Sequence, residues 1–253
     1  MKVYIKLLIP IVFVFGMLTL NSRVWHPIHA ASSMYDSSGS SNNFIFLPVV
    51  LNNYCKAQYL DDFSDPGSGW PILDNTVRYE YLNGEYRIWV KDWYAWAGAA
   101  PGVKASDFTV FVDVRSGPNH ILPGSYGLLF GLSDDWTQFY TFEIYTEFGY
   151  YQLMKYESGV WTILAEGYAN VLQTSNQLRI VRADTQIDAY LNNQLLITTS
   201  DGSFIGPRRL GLIATHNSFE GNTDGFFDNF TICGASDFTP NFMTLQSNSW
   251  ALR

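Results

Sequence analysis

The sequence predicts an all-β protein, folded as a two-sheet antiparallel β-sandwich. From about Val77 onward, short runs alternate apolar and polar residues and are broken by Gly, Asn, Asp and Pro at the intervals typical of sandwiches. Turn-forming groups stand between these runs: Asn83-Gly84, Glu157-Ser158-Gly159 and Asn192-Asn193. No stretch carries a convincing helical period. Strands with one apolar face each need a second layer to cover it, which gives two packed sheets.

Residues 1–30 read as a secretory signal. Lys2 and Lys6 precede an unbroken apolar run from Leu7 to Leu18, polar residues follow, and cleavage after Ala30 is expected. The competing reading is an uncleaved anchor, which the shortness of the run disfavours. No second run of spanning length exists, so no membrane span is expected once the signal is removed.

Residues 31–54 form a flexible Ser/Gly/Asn linker and then a lead-in, FIFLPVVLNNYC, ending at Cys55. Pro48 in the middle of the lead-in marks it as an edge strand or an extended arm, because proline cannot donate a ladder hydrogen bond.

Strands are then expected at Val77 to Leu82, Glu85 to Lys91, Phe108 to Arg115, Gly127 to Ser133, Phe139 to Tyr145, Tyr150 to Tyr156 and Trp161 to Glu166. The second half supplies Gln177 to Ala183, Gln186 to Leu191, Gln194 to Thr199, Arg209 to His216 and Gly225 to Cys233. Residues 55–233 form the domain, and 234–253 an irregular tail.

Composition narrows the partners. Cleavage removes Lys2, Lys6 and Arg23 from the 15 basic residues and none of the 23 acidic ones, so nucleic acid is not an expected partner. Aromatic residues make up 17% of the chain and charged residues 15%, which suits a large apolar core. In an oxidising compartment Cys55 and Cys233, the only two cysteines, should pair and tie the first strand to the last. Two free buried thiols are the alternative.

The segments DDFSDPGSGW, YGLLFGLSDDWTQFYTFEIYTEFGYYQLMKYESGVWTIL, AYLNNQLL and GFFDNFTI resemble the concanavalin A-like or laminin G-like jelly-roll module of exported bacterial proteins. That module is related to the 3-keto-disaccharide hydrolase domain family, and the likeness runs from about Tyr59 to Cys233. It implies a jelly-roll sandwich. It does not choose among lectin, glycosidase and adhesion roles, which share this fold. Phe63, Trp70, Phe142, Trp161 and Phe230 read as core residues.

Three constellations could carry chemistry. Glu143 and Glu147 bracket Tyr145 in a strand similar to the E-x-D-x-E strand of laminarinase-like glycosidases. Their Cα atoms would stand about 13 Å apart on one strand face, and retaining hydrolysis wants carboxylates ~5 to 5.5 Å apart. With tyrosine in place of the central acid, the expectation is no catalytic pair. Asp61, Asp62 and Asp65 near the start and Asp228 near the end could hold a structural Ca²⁺, for which hard oxygen ligands are suited. Loop aromatics form the third group: Trp93, Tyr94 and Trp96, with Trp136, and with Asp134 and Asp135 to accept hydroxyl hydrogen bonds. Flat rings stack on the C–H faces of sugars. Taken together, these features favour a secreted, non-catalytic carbohydrate-binding or adhesion module for a glycan or cell-surface polymer. A jelly-roll glycoside-processing hydrolase and a structural envelope domain are the alternatives.

Overall fold

The computed structural model describes residues 57–91, 95–121, 123–217 and 221–234. The expected signal, linker, lead-in with Cys55, and tail lie outside them. Sixteen strands follow one another with no helix among the described residues. The first eight are β1 (Ala57–Asp61), β2 (Leu73–Asp74), β3 (Val77–Leu82), β4 (Glu85–Val90), β5 (Ala95–Ala99), β6 (Lys104–Ala105), β7 (Phe108–Ser116) and β8 (Gly124–Leu132). Then come β9 (Gln138–Tyr145), β10 (Tyr150–Glu157), β11 (Val160–Tyr168), β12 (Asn176–Ala183), β13 (Gln186–Leu191), β14 (Gln194–Ser200), β15 (Arg208–His216) and β16 (Thr223–Gly234).

The strands pair antiparallel into two sheets. One runs β14-β13-β12-β7-β16-β4-β3-β2, with β1 also on β16; the other runs β11-β10-β9-β8-β15-β5, with β6 also on β15. Strand β16 serves two neighbours on one side because it is kinked. Its register shifts between Asp228 and Thr231, where Asn229 has φ 54°. Residues Thr223 to Phe227 pair with β4, and Phe230 to Cys233 pair with β1. An inserted residue that bends one strand is how a bulge changes a strand's partner.

Every strand expected from alternation is present. The hairpin turns fall where the turn residues stand: Asn83 and Gly84 have φ 57° and 80°, and Asn192 and Asn193 have 49° and 66°. Four strands escaped the reading: β1, β2, β5 and β6. Three of these are too short or too polar to show a period, and the fourth, AWAGA, alternates among small residues.

The two inner faces meet in one core. Tyr86, Ile88, Val112, Ile180 and Phe227 of one sheet belong to the same buried cluster as Leu128, Phe130, Phe142, Ile144 and Leu212 of the other. Each such side chain contributes roughly 1.5–3 kcal/mol on burial. One end is closed by an aromatic hub. Trp70 lies 5.3 Å from Phe63, 5.3 Å from Tyr86 and 5.1 Å from Phe230, ring centre to ring centre. Asp61 organises this hub, accepting the Trp70 indole N–H at 2.8 Å and the Phe63 amide at 2.8 Å. The second bond helps hold Phe63 at φ 54°, a conformation costly for a bulky residue.

Candidate functional site

A second, smaller apolar cluster lies outside this core. It comprises Leu129, Leu132, Phe139 and Ile213, all buried, with Trp96, Trp136, Tyr156 and Trp161 packed over them. Side chains alternate across a strand, and Leu128, Phe130, Tyr140, Phe142 and Leu212 face the main core, so Leu129, Phe139 and Ile213 face away from it. The cluster therefore sits on the outer face of the β11-to-β5 sheet.

Its rings form a half-exposed platform. Trp96 is centred 6.4 Å from Trp136 with the planes 27° apart, 5.7 Å from Tyr156 and 5.0 Å from Phe139. Trp161 lies 4.9 Å from Tyr156 and 5.6 Å from Phe139. Trp136 has φ 62° in the β8–β9 turn and lies over Gly98. The Arg209 guanidinium is 5.1 Å from its ring.

Two expectations change here. Trp96 stands on β5 and not in a loop, paired across from Thr215. Trp161, read as core, belongs to the platform, because it pairs with outward-facing Tyr156 on β10. Nothing in the local sequence distinguishes the sheet's two faces at β11, where both carry apolar residues. Trp93 and Tyr94 lie outside the described residues.

The acidic loop residues are already engaged. Asp135 accepts the Ser133 and Thr137 hydroxyls at 2.6 and 2.8 Å, which hold its pKa down to about 2. Asp134 bonds Lys104 at 2.9 Å and lies 3.4 Å from Arg209; the Lys104 hydrogen bond lowers its pKa. These residues line an open cleft of about 430 Å³ with Lys104, Gln138 and Arg208.

Further along the outer face the Glu143 carboxyl is fully buried. The Ser125 hydroxyl donates to its Oε2 at 2.7 Å, while Oε1 has no aligned partner among the described residues. Burial pushes this carboxyl above its ordinary pKa, and the Ser125, Thr215 and Thr141 hydroxyls pull the other way. Glu147 does not join it. The chain turns after Tyr145, and Glu147 meets His120, Oε1 to Nε2, at 2.7 Å. Burial alone would raise the Glu147 carboxyl, but His120, a backbone hydrogen bond and Thr146 outweigh it and leave its pKa lowered.

The expected calcium ligands sit at the Trp70 end. Asp62 bonds Ser64 and Asp65 bonds the Gly67 amide, each within its own turn, and Asp61 is committed to Trp70. Asp228 accepts the Asn229 amide; desolvation raises its pKa, as do the charges of Asp113, Glu85 and Asp62. No set of three or more His, Cys, Asp or Glu residues is placed to hold a metal ion among the described residues. Cys233 is buried and pairs in register with Ala57, two positions after Cys55.

No family model matches the chain, and no curated protein matches it. Solved structures do. A carbohydrate-binding module, CBM66 from Bacillus subtilis, is 18% identical over 66% of this chain and 96% of its own, with a TM-score of 0.55. A Bacillus subtilis protein of unknown function with a galectin-like fold is 11% identical over 70% and 96%, TM-score 0.54. Bacillus licheniformis β-glucanase is 11% identical over 69% and 97%, TM-score 0.52. The fold is a concanavalin A-like jelly roll. Binding modules and glycoside hydrolases share this jelly roll, and at these identities the likeness is one of fold. No helix among the described residues of the jelly roll is long and apolar enough to cross a membrane.

Proposed function

We propose that this chain is an exported, non-catalytic carbohydrate-binding or adhesion module that holds an extracellular glycan on the outer face of the β11-to-β5 sheet. The observation that carries this is the platform of Trp96, Trp136, Tyr156 and Trp161. These rings are half-exposed on a face that the main core does not need. Indole and phenol rings present apolar area with little side-chain entropy to lose, which suits the C–H face of a sugar. The similarity to a carbohydrate-binding module is consistent with this use of the face. Trp93 and Tyr94, next in sequence to β5, remain candidate contacts, and so do Asp134 and Asp135 at the rim.

A glycoside hydrolase is the second reading, supported by the raised pKa of Glu143. A carboxyl with a raised pKa can serve as a general acid, but hydrolysis also needs a partner carboxylate. Glu147 is committed to His120 and does not supply it. Both readings are tested on the whole chain with a neutral glycan array and turnover assays on mixed β-glucans and 3-keto sugars. The binding reading expects retention without turnover, and loss of retention in Trp161→Ala. Turnover abolished by Glu143→Gln would replace it with the hydrolase.

A further inference from the structure

The outer face carries a second aromatic row. Register across β9, β10 and β11 aligns Tyr145 with Tyr150 and Tyr168, and places Glu143, Gln152 and Glu166 in the row beside them. Next comes Thr141, Met154 and Ile163, and then Phe139, Tyr156 and Trp161 at the platform already described. Tyr150 is centred 5.6 Å from Tyr145 and 5.2 Å from Tyr168, so the three rings form a continuous track. Tyr168 is 77% exposed on the outermost strand.

The row next to the tyrosines is a hydrogen-bonding one. Gln152 Nε2 donates to the Tyr150 hydroxyl at 3.0 Å and to Glu166 at 3.3 Å; Tyr150 also donates to Glu166. The Tyr145 hydroxyl lies 3.4 Å from Gln152 Oε1. Glu166 is exposed, and the four rows contain carboxylates but no Lys or Arg.

Resting on the binding reading above, we infer that the ligand is a linear, uncharged glycan lying along β10 and β11. It stacks on Trp161 and Tyr156 at one end and on Tyr150 and Tyr168 at the other. Phe139 and Tyr145 are six positions apart on β9, and at ~3.3 Å per residue the two aromatic rows stand about 20 Å apart, beyond the reach of a disaccharide. Each row alone provides one weak stack. A chain bridging both gains the second at little further cost in translational freedom, so affinity climbs with chain length. The row next to the tyrosines offers the Gln152 amide and the Glu166 carboxylate to sugar hydroxyls, and this exposed carboxylate repels an acidic glycan.

The test is calorimetric titration of the whole chain with cello-, laminari- and inulo-oligosaccharides of two to six units, with oligogalacturonides as the acidic counterpart. In the series that binds, affinity rises about tenfold or more from the shortest to the longest member. Tyr168→Ala cancels that gain and leaves the two-unit ligand nearly unaffected. Trp161→Ala weakens both. An affinity independent of length, or a Tyr168→Ala variant that still shows the gain, overturns the second row while sparing the platform. If no neutral glycan binds, the binding reading itself fails. Acidic oligomers bound as tightly as neutral ones overturn the charge selection. A concentration-dependent dimer abolished by Tyr168→Ala assigns the face to a second copy of the chain instead. Tyr168 is exposed enough that its truncation leaves the fold intact, which the unchanged thermal midpoint verifies.

Discussion

The Trp136 indole lies so close over Gly98 that a Cβ added to this glycine would meet the ring at 2.6 Å, and the Leu129 side chain at 3.2 Å. The β8–β9 turn and strand β5 are far apart in sequence, and the missing side chain on β5 is what lets the turn's tryptophan settle on the sheet. Gly98 has no positive φ, so its role is space and not backbone freedom.

Gly98→Ala should therefore lift Trp136 out of the platform without unfolding the jelly roll. Crowding of this kind costs about 1–3 kcal/mol, less where the displaced group is half-exposed and free to move. Intrinsic fluorescence should shift to the red, and glycan retention should fall toward that of Trp136→Ala. Unchanged emission together with full retention would show that Trp136 is not held by this contact.

Glu143 gives a signed pH prediction. Its folded pKa is raised above the unfolded one, so the folded state binds the proton more tightly. Stability is then greatest below the unfolded value near 4.5, and falls as the pH climbs toward the folded value. Each unit of elevation is worth about 1.4 kcal/mol once the group is fully ionised. Glu143→Gln keeps an acceptor for Ser125 without the charge. It should melt higher than wild type at pH 7, with the difference vanishing near pH 4. Parallel melting curves across that range would count against a raised pKa at Glu143.

Asp228 stands among Asp113, Glu85 and Asp62, and its pKa is raised by desolvation and by their charges. Asp228→Asn keeps an acceptor for the Asn229 amide and removes the repulsion, so the variant should melt higher than wild type in EDTA at neutral pH. Calcium bound between Asp62, Asp65 and Asp228 would cancel the same repulsion. Its signature is a wild-type melting point that rises with millimolar Ca²⁺ while the variant's does not. Equal responses of the two proteins would remove these carboxylates from consideration as ligands.

The Cys55–Cys233 pair is testable by mass. Ala57 opposes Cys233 on β16, and Cys55 stands two positions before Ala57 in the sequence. If the pair forms, the native protein should resist alkylation until reduced, and reduction should lower its thermal midpoint. The chain-entropy ceiling for so long a loop is about 5 kcal/mol. Alkylation of native, unreduced protein at both cysteines would refute the bond.

Much of the fold is written locally. Alternation with period two and positive-φ turn residues such as Asn83-Gly84 and Asn192-Asn193 determined the strands, their hairpins and the sandwich class, because these depend on neighbours in the chain. Buried aromatics at Phe63, Trp70, Phe142 and Phe230 followed from the same pattern. Which face of a strand meets the other sheet is not local where both faces are apolar. Trp161 and Trp96 could be placed on the outer face only once β10 had paired with β11 and β5 with β15. Glu143 and Glu147, four residues apart, look like partners until the turn after Tyr145 sends one to Ser125 and the other to His120. The aromatic rows of the outer face exist only across strands, from residues brought into register by hairpins and a bulge, and so the tertiary structure alone decided them.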